Sequence, residues 1–281
     1  MKDTLFNLNN IRIEISFKSF DELRQILSFY QRNNLYKINI PCKNSLKKDF
    51  LLESIKISKE EFPAIDIIPH FSIMHEFKRN RVNTQDSFLK FLQTVESLGC
   101  EQMLLVSGSQ KKSTLDSVLA LSILKDNPRF FSQDISIGVA FNPYLPGILF
   151  DEEILRLEKK LQSGLVSSIW IQFGTDYKLL KSRIKILSNI ISITIKNNPQ
   201  ISNIILFGSI LIPSRQFLAR FKFRPWKGVY CSSEFLESLD SANNMVKQLL
   251  ETYKQYKINP IIESGITTEE NLKKLRETLD F

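Results

Sequence analysis

A chain of 281 residues is long enough to close around one large core, and α/β barrels of about 250 residues commonly do so as a single domain. Its 43% apolar and 24% charged residues argue against a disordered or membrane-spanning class. Three widely spaced cysteines, Cys42, Cys100 and Cys231, with only two histidines beside them, argue against a disulfide framework and a structural zinc site.

Taken from the start, the chain carries Asp3 and no apolar run ahead of its first strand-like segment, so no secretory signal is expected and the cytoplasm is the expected location. The first β-rich run, 11–16, alternates Ile11, Ile13 and Ile15 with Arg12, Glu14 and Ser16, which gives it one polar face. Further runs follow at 35–41, 65–72, 102–107, 135–142, 168–173, 203–207 and 259–263. The longest apolar stretch, 204–213, is broken by Gly208 and Ser209 and falls short of the roughly 20 residues a membrane span needs. It reads as a buried strand and its exit loop.

Helical periods separate these runs. Phe88, Leu89, Phe91, Leu92 and Val95 predict a helix within 87–99. Asp151, Glu152 and Glu153 open another at the end where the helix dipole favours acids, and Gly164 closes it. Segment 213–256 is longer than one crossover requires and predicts a helical insertion: a short helix, a minor extended piece at 227–232, then a helix from about Ser233. Thr267 or Thr268 caps the last helix, ahead of Glu269 and Glu270. Strand runs alternating with helices in this way predict a single (β/α)8 TIM barrel over 1–281. No G-x-G-x-x-G follows a strand and no P-loop is present, which weighs against nucleotide-binding open sheets.

Ligands of such a barrel meet the C-terminal ends of its strands. Those ends carry Glu14, Asn39, His70, Ser107, Ser109, Asn142, Gln172 and Glu263. A carboxylate at Glu14 near the top of the lumen would be desolvated and available as a general acid; the bland alternative is an Arg12–Glu14 pair in a polar barrel floor. His70 suits contact with a ring or a phosphate better than proton transfer, and His75 reads as loop. Gln172 is an uncharged amide in an apolar strand, so either the core or a ligand must satisfy it. Trp170 and Phe173 flank it, residue types that more often pack in a core than hold a ligand. The net charge of +8 could serve nucleic acid, a membrane surface or an acidic small ligand. The basic residues are spread through every predicted helix. Only 215–227 concentrates them, with Arg220, Lys222, Arg224 and Lys227 between Phe221, Phe223 and Trp226. Such a segment can stack bases, but covering a barrel end or meeting an anionic substrate accounts for it more simply.

In their order along the chain, Ile68-Pro-His70-Phe-Ser72, Ser136-Ile-Gly-Val-Ala140 and Leu157-Glu-Lys-Lys160-Leu-Gln-Ser-Gly164 followed by Ile-Trp-Ile-Gln172-Phe resemble the methylenetetrahydrofolate reductase family. The resemblance spans roughly 11–213 and the rest more loosely. It implies a barrel of folate metabolism in which hydride passes from a nicotinamide donor through FAD to the methylene carbon of a reduced folate. By that resemblance Glu14 is the general acid that helps open the folate's five-membered ring. Gln172, Phe173 and Asn142 bind the substrate, while His70, Ser107, Ser109 and Lys160 lie against the cofactor.

Several family positions differ. An Arg-Gly-Asp is here Ser107-Gly108-Ser109, an aromatic-Pro-Glu-x-His-Pro stretch is Asn142-Pro143-Tyr144-Leu145-Pro146, and a Pro-Pro after the first-strand glutamate is Ser16-Phe17. These losses predict FAD bound weakly or not at all, with NAD(P)H able to act directly. A reduced folate is the expected partner, with its acidic tail a use for the positive charge; a homo-oligomer is compatible with the pattern, a membrane or nucleic-acid partner less so. The competing readings are a folate-dependent methyl or one-carbon transferase, and an inactive barrel serving as a regulatory or interaction subunit.

Overall fold

The computed structural model describes residues 10–42, 48–73, 81–107, 115–126, 135–201 and 203–279; Ser109 and His75 lie outside them. Eight strands form a closed parallel barrel in chain order: β1 (Arg12–Glu14), β2 (Lys37–Ile40), β3 (Asp66–Ser72), β4 (Gln102–Val106), β5 (Ser136–Phe141), β6 (Val166–Ile171), β7 (Ile205–Ile210) and β8 (Asn259–Ile262). The helices are α1 (Phe20–Arg32), α2 (Lys48–Glu61), α3 (Arg81–Ser97), α4 (Ser117–Lys125), α5 (Ile148–Leu161), α6 (Tyr177–Asn197), α7 (Arg215–Phe223), α8 (Ser233–Glu237), α9 (Leu239–Tyr256) and α10 (Glu269–Leu279). This is the (β/α)8 TIM barrel that the alternating runs predict. Among the described residues no helix is long and apolar enough to cross a membrane.

Strand alternation sorts side chains into two compartments. Ile13, Ile38, Ile67, Leu105, Val139, Ile169, Ile171 and Ile262 point outward and are buried under the helices. Ile68, Leu104, Trp170 and Ile261 form a separate apolar plug in the lumen, with Phe207 stacked on Trp170 at 4.2 Å between ring centroids. Below the plug the lumen is polar. Arg12 ion-pairs with Asp66 and donates to the Ile38 carbonyl at 2.7 Å, while Gln102 and the Trp170 indole both donate to Ser168 Oγ. The lower half of the barrel lumen is thereby filled, and the cavities lined by the strand ends lie at the mouth.

Helix ends follow their sequence signals. Ser19, Asp116, Asp176, Ser214 and Ser238 each accept a backbone N–H of the following turn. Gly164, after α5, has φ +77°, the left-handed conformation that favours glycine. Thr268 Oγ1 accepts the Asn271 N–H at the start of α10.

Several boundaries depart from expectation: α3 begins at Arg81 rather than within 87–99, α5 at Ile148 rather than Asp151, and β1 covers only 12–14. Gly208 and Ser209, read as an exit loop, lie inside β7. The glycine serves a close approach instead of a turn: a Cβ there would sit 2.3 Å from the ring of Tyr253 on α9. That tyrosine's hydroxyl donates to the Ser209 carbonyl at 3.1 Å.

Between β7 and β8 run α7, α8 and α9, joined by a segment at 224–232 that folds back over the mouth. Tyr230 bridges Gly174, the Thr175 N–H donates to the Tyr230 carbonyl at 3.1 Å, and Asn142 Nδ2 donates to the Gly228 carbonyl at 2.9 Å. The aromatic residues of this region mostly turn inward: Phe217 packs against Phe221, Trp226, Phe173 and Phe235, while Phe223 stands 93% exposed.

Candidate functional site

Among the described residues, two cavities at the C-terminal end of the barrel stand out. The inner one, about 240 Å³, is lined by Glu14, His70, Gln172, Ser209 and Glu263 over the apolar surface of Leu104, Val106, Ala140, Trp170 and Ile261. The outer one, about 660 Å³, lies between the ends of β4, β5 and β6, the helices α4 and α5, and the 224–232 segment. Val106, Ala140 and Gln172 line both cavities.

Strand periodicity explains the inner set. On β6, Trp170 faces the lumen and Ile171 the helices, so Gln172 faces inward again; its backbone N–H continues the ladder by donating to the Phe141 carbonyl at 2.9 Å. On β1 the inward Arg12 places Glu14 inward two residues later. Ile68 and His70 follow the same rule on β3, and Ile261 and Glu263 on β8 and just beyond it. His70 is buried, with Nε2 2.7 Å from the Asn39 amide nitrogen and the Trp170 ring edge-on at 6.3 Å. Asn39 thus fixes the imidazole from the neighbouring strand.

The outer cavity has its own polar set. The Ser107 hydroxyl donates to Ser117 Oγ at 2.8 Å and accepts the Ser117 N–H at 2.9 Å. Arg156 approaches Ser107, Asp116 and Glu153. Glu153 accepts the Asn142 N–H at 3.1 Å, which ties α5 to the end of β5. The basic side of the cavity is completed by Lys227, and Tyr230 closes its rim. Arg183 braces the β5–α5 connection by donating to the Pro143 and Leu145 carbonyls, with its guanidinium 3.8 Å from the Phe150 ring centroid.

Lys160 is almost wholly buried and donates to the Ala140 carbonyl at 2.9 Å. Burial holds its ammonium below the usual lysine range, against the opposing pull of Glu153. The unfolded chain then binds this proton more tightly than the folded one. The cost to the fold is therefore full below the folded-state value and fades as pH rises through it. Lys160→Met should raise stability by about 1 kcal/mol at pH 7, and thermal melts should show that advantage shrinking by pH 10.

The structure divides the residues singled out in sequence. Glu14, His70 and Gln172 share the inner cavity, whereas Ser107, Asn142 and Lys160 line the outer one and Gln172 joins them there. Asn142 spends its amide on the Gly228 carbonyl and the Tyr144 N–H. Phe173, expected at the substrate, lines neither cavity. It points to the helix side of β6 and is buried against Phe217 and Phe235. Sequence reasoning placed Glu263 among the strand ends without a role, and it passed over Ser209, Glu153 and Arg156. The α5 pair was detectable as Glu153-x-x-Arg156, a polar stripe on the helix that follows a candidate strand end.

Burial pushes Cys100 up to about 11 and Cys231 up to about 12, so both are thiols at neutral pH. Among the described residues no group of three histidine, cysteine or acidic side chains could hold a metal ion.

No protein-family model and no curated protein matches the sequence. Solved structures do match the fold. An uncharacterised protein from Clostridium thermocellum that binds two copies of 5-methyl-5,6,7,8-tetrahydrofolic acid superposes with a TM-score of 0.62 at 13% identity, over 96% of this chain and 92% of that one. 2,3-Dimethylmalate lyase, a member of the PEP mutase/isocitrate lyase superfamily, gives 0.55 at 10% identity over 98% and 80%. Oxaloacetate acetylhydrolase gives 0.55 at 9% identity over 96% and 80%. At these identities the likeness is one of fold.

Proposed function

We propose that this barrel binds a reduced folate with its pterin in the inner cavity, and that it reduces methylenetetrahydrofolate to methyltetrahydrofolate with a reduced nicotinamide as donor. The observation that carries the reading is that Glu14 and Gln172, from the non-adjacent strands β1 and β6, line one cavity of about 240 Å³ at the barrel mouth. A bicyclic ring with a polar edge suits this lining: apolar on its floor, with carboxylates and an amide around its wall. The folate-binding barrel from Clostridium thermocellum, matched over nearly its full length, supports the same ligand class. The outer cavity, which shares Gln172 as a wall, leaves room for the rest of the folate, with Arg156 and Lys227 near its acidic tail.

In this reading Glu14 donates the proton that opens the five-membered ring of the methylene compound, and Gln172 holds the pterin by its amide. Hydride from the nicotinamide then goes to the methylene carbon, so that one proton and one hydride enter per methyl group formed. The chain's residues fit FAD poorly, and no step is assigned to it. The positions that resemblance gave to a flavin are split between two cavities, Ser107 is committed to Ser117, and Lys160 to the Ala140 carbonyl.

Calorimetric titration with 5-methyltetrahydrofolate tests the site. Wild type should bind, and Glu14→Gln and Gln172→Ala should each weaken binding about tenfold or more, the equivalent of one lost charged or buried hydrogen bond. No binding to wild type, or equal binding to all three, overturns the site. Nicotinamide oxidation with methylenetetrahydrofolate tests the reaction; folate binding without oxidation overturns the reductase half alone.

A further inference from the structure

The inner cavity contains a second carboxylate, and its position relative to Glu14 is fixed by the sheet. Strands β1 and β8 close the barrel with Arg12 opposite Ile261 and Ile13 opposite Ile262, so the next pair in register is Glu14 and Glu263. The Glu263 N–H donates to the Ile210 carbonyl at 2.9 Å, which holds that residue in the β7–β8 ladder one step past the end of β8. Just beyond, Ser264 Oγ accepts the Ile212 N–H at 2.8 Å and pins the exit of the strand. Both acids line the same cavity, from neighbouring strands about 4.8 Å apart. One general acid does not call for a second carboxylate at its side.

We propose that Glu263 recognises the ligand's ring by the 2-amino and N3–H edge of a 2-amino-4-oxopyrimidine, and thereby selects pterins over other bicyclic rings. This inference rests on the folate reading above and divides the work within it. The edge offers two parallel N–H donors, the complement of a carboxylate's two oxygens, and such a paired, charge-assisted contact is both strong and orienting. Glu14 cannot hold that edge and also protonate the far ring. In this reading the ligand lies across both acids, with Glu263 at the pyrimidine end and Glu14 towards the one-carbon end. Gln172, from β6, remains to meet the 4-oxo group. Among the residues that line the inner cavity, Glu14 and Glu263 are the carboxylates.

The test compares tetrahydropterin with tetrahydrolumazine, in which a 2-oxo group replaces the 2-amino group, by calorimetry on the full chain. Wild type should prefer the pterin by at least tenfold, because the carboxylate faces an acceptor in the lumazine. Glu263→Gln should lose at least tenfold in pterin affinity and gain for the lumazine, since its amide can donate to the 2-oxo group while accepting from N3–H. That reversal is not expected from a purely structural defect, and the wild-type ratio is informative even if the variant folds poorly. A wild type that binds both rings equally, or a Glu263→Gln variant with an unchanged ratio, overturns the inference and leaves folate binding standing. Failure of wild type to bind either ring or 5-methyltetrahydrofolate overturns the functional reading itself.

Discussion

Phe173→Ala is expected to destabilise the fold by about 3–5 kcal/mol, the usual cost of emptying a buried phenylalanine site, and to lower the melting temperature by about 6–10 °C at the sensitivity of a chain this size. The ring is buried at the junction of β6 with the helices that follow β7, edge-on to Phe217 at 6.5 Å and to Phe235 at 6.3 Å. Phe217 in turn meets Trp226 and Phe221. Removing Phe173 leaves this aromatic cluster without its anchor on the barrel, and the rings cannot collapse into the gap without moving α7 and α8. Thermal or urea melts measure the loss. At temperatures where the variant is still folded, its preference between tetrahydropterin and tetrahydrolumazine should match wild type, because the ring faces away from both cavities. A melting temperature within 2 °C of wild type, together with a collapse in folate affinity, would return Phe173 to the ligand site.

Gly208→Ala is expected to cost about 3 kcal/mol, the upper part of the range for overpacking a filled interior. The added methyl would lie 2.3 Å from Tyr253 Cζ and 2.6 Å from its hydroxyl oxygen. Tyr253 is fully buried on α9 and is bonded to the Ser209 carbonyl. No flexible side-chain end is available to yield, so the helix must move off the sheet or β7 must bend inward. Ser209 lines the inner cavity, so either response should disturb ligand affinity along with stability. Calorimetric and thermal measurements on the same preparation check both. A variant that melts like wild type would mean that α9 does not pack on the glycine as closely as the structure has it.

The fold was legible because its signals are repeated. Each strand is a short β-rich run, and each intervening segment has an apolar helical stripe, so an error of two or three residues at one boundary leaves the alternation intact. The error at β7 has a physical source: a glycine that admits a tyrosine ring looks, in one sequence, the same as a glycine that makes a turn. The inner cavity was partly legible. Alternation along β1 and β6 turns Glu14 and Gln172 inward from purely local pattern. The same alternation turns Phe173 to the helix side, against its assignment to the substrate; only its partners on α7 and α8, distant in sequence, were beyond local pattern. Nor did pattern alone give the outer cavity, since Glu153 and Arg156 belong to a helix and their approach to Ser107 and Asp116 depends on tertiary packing. Glu263 stood in view at a strand end, and only the closing register of β1 against β8 put it beside Glu14.

That closing register has a consequence for biosynthesis. The two acids of the inner cavity come from opposite ends of the polypeptide, brought together by the last seam of the sheet. A ribosome-bound chain that has not yet released β8 keeps β1 and β7 as open edges, and it has half a binding site at most. Ligand capture is then a property of the finished ring, and a folate bound there would act as a clasp on the β1–β8 seam, whose partners are far apart in sequence.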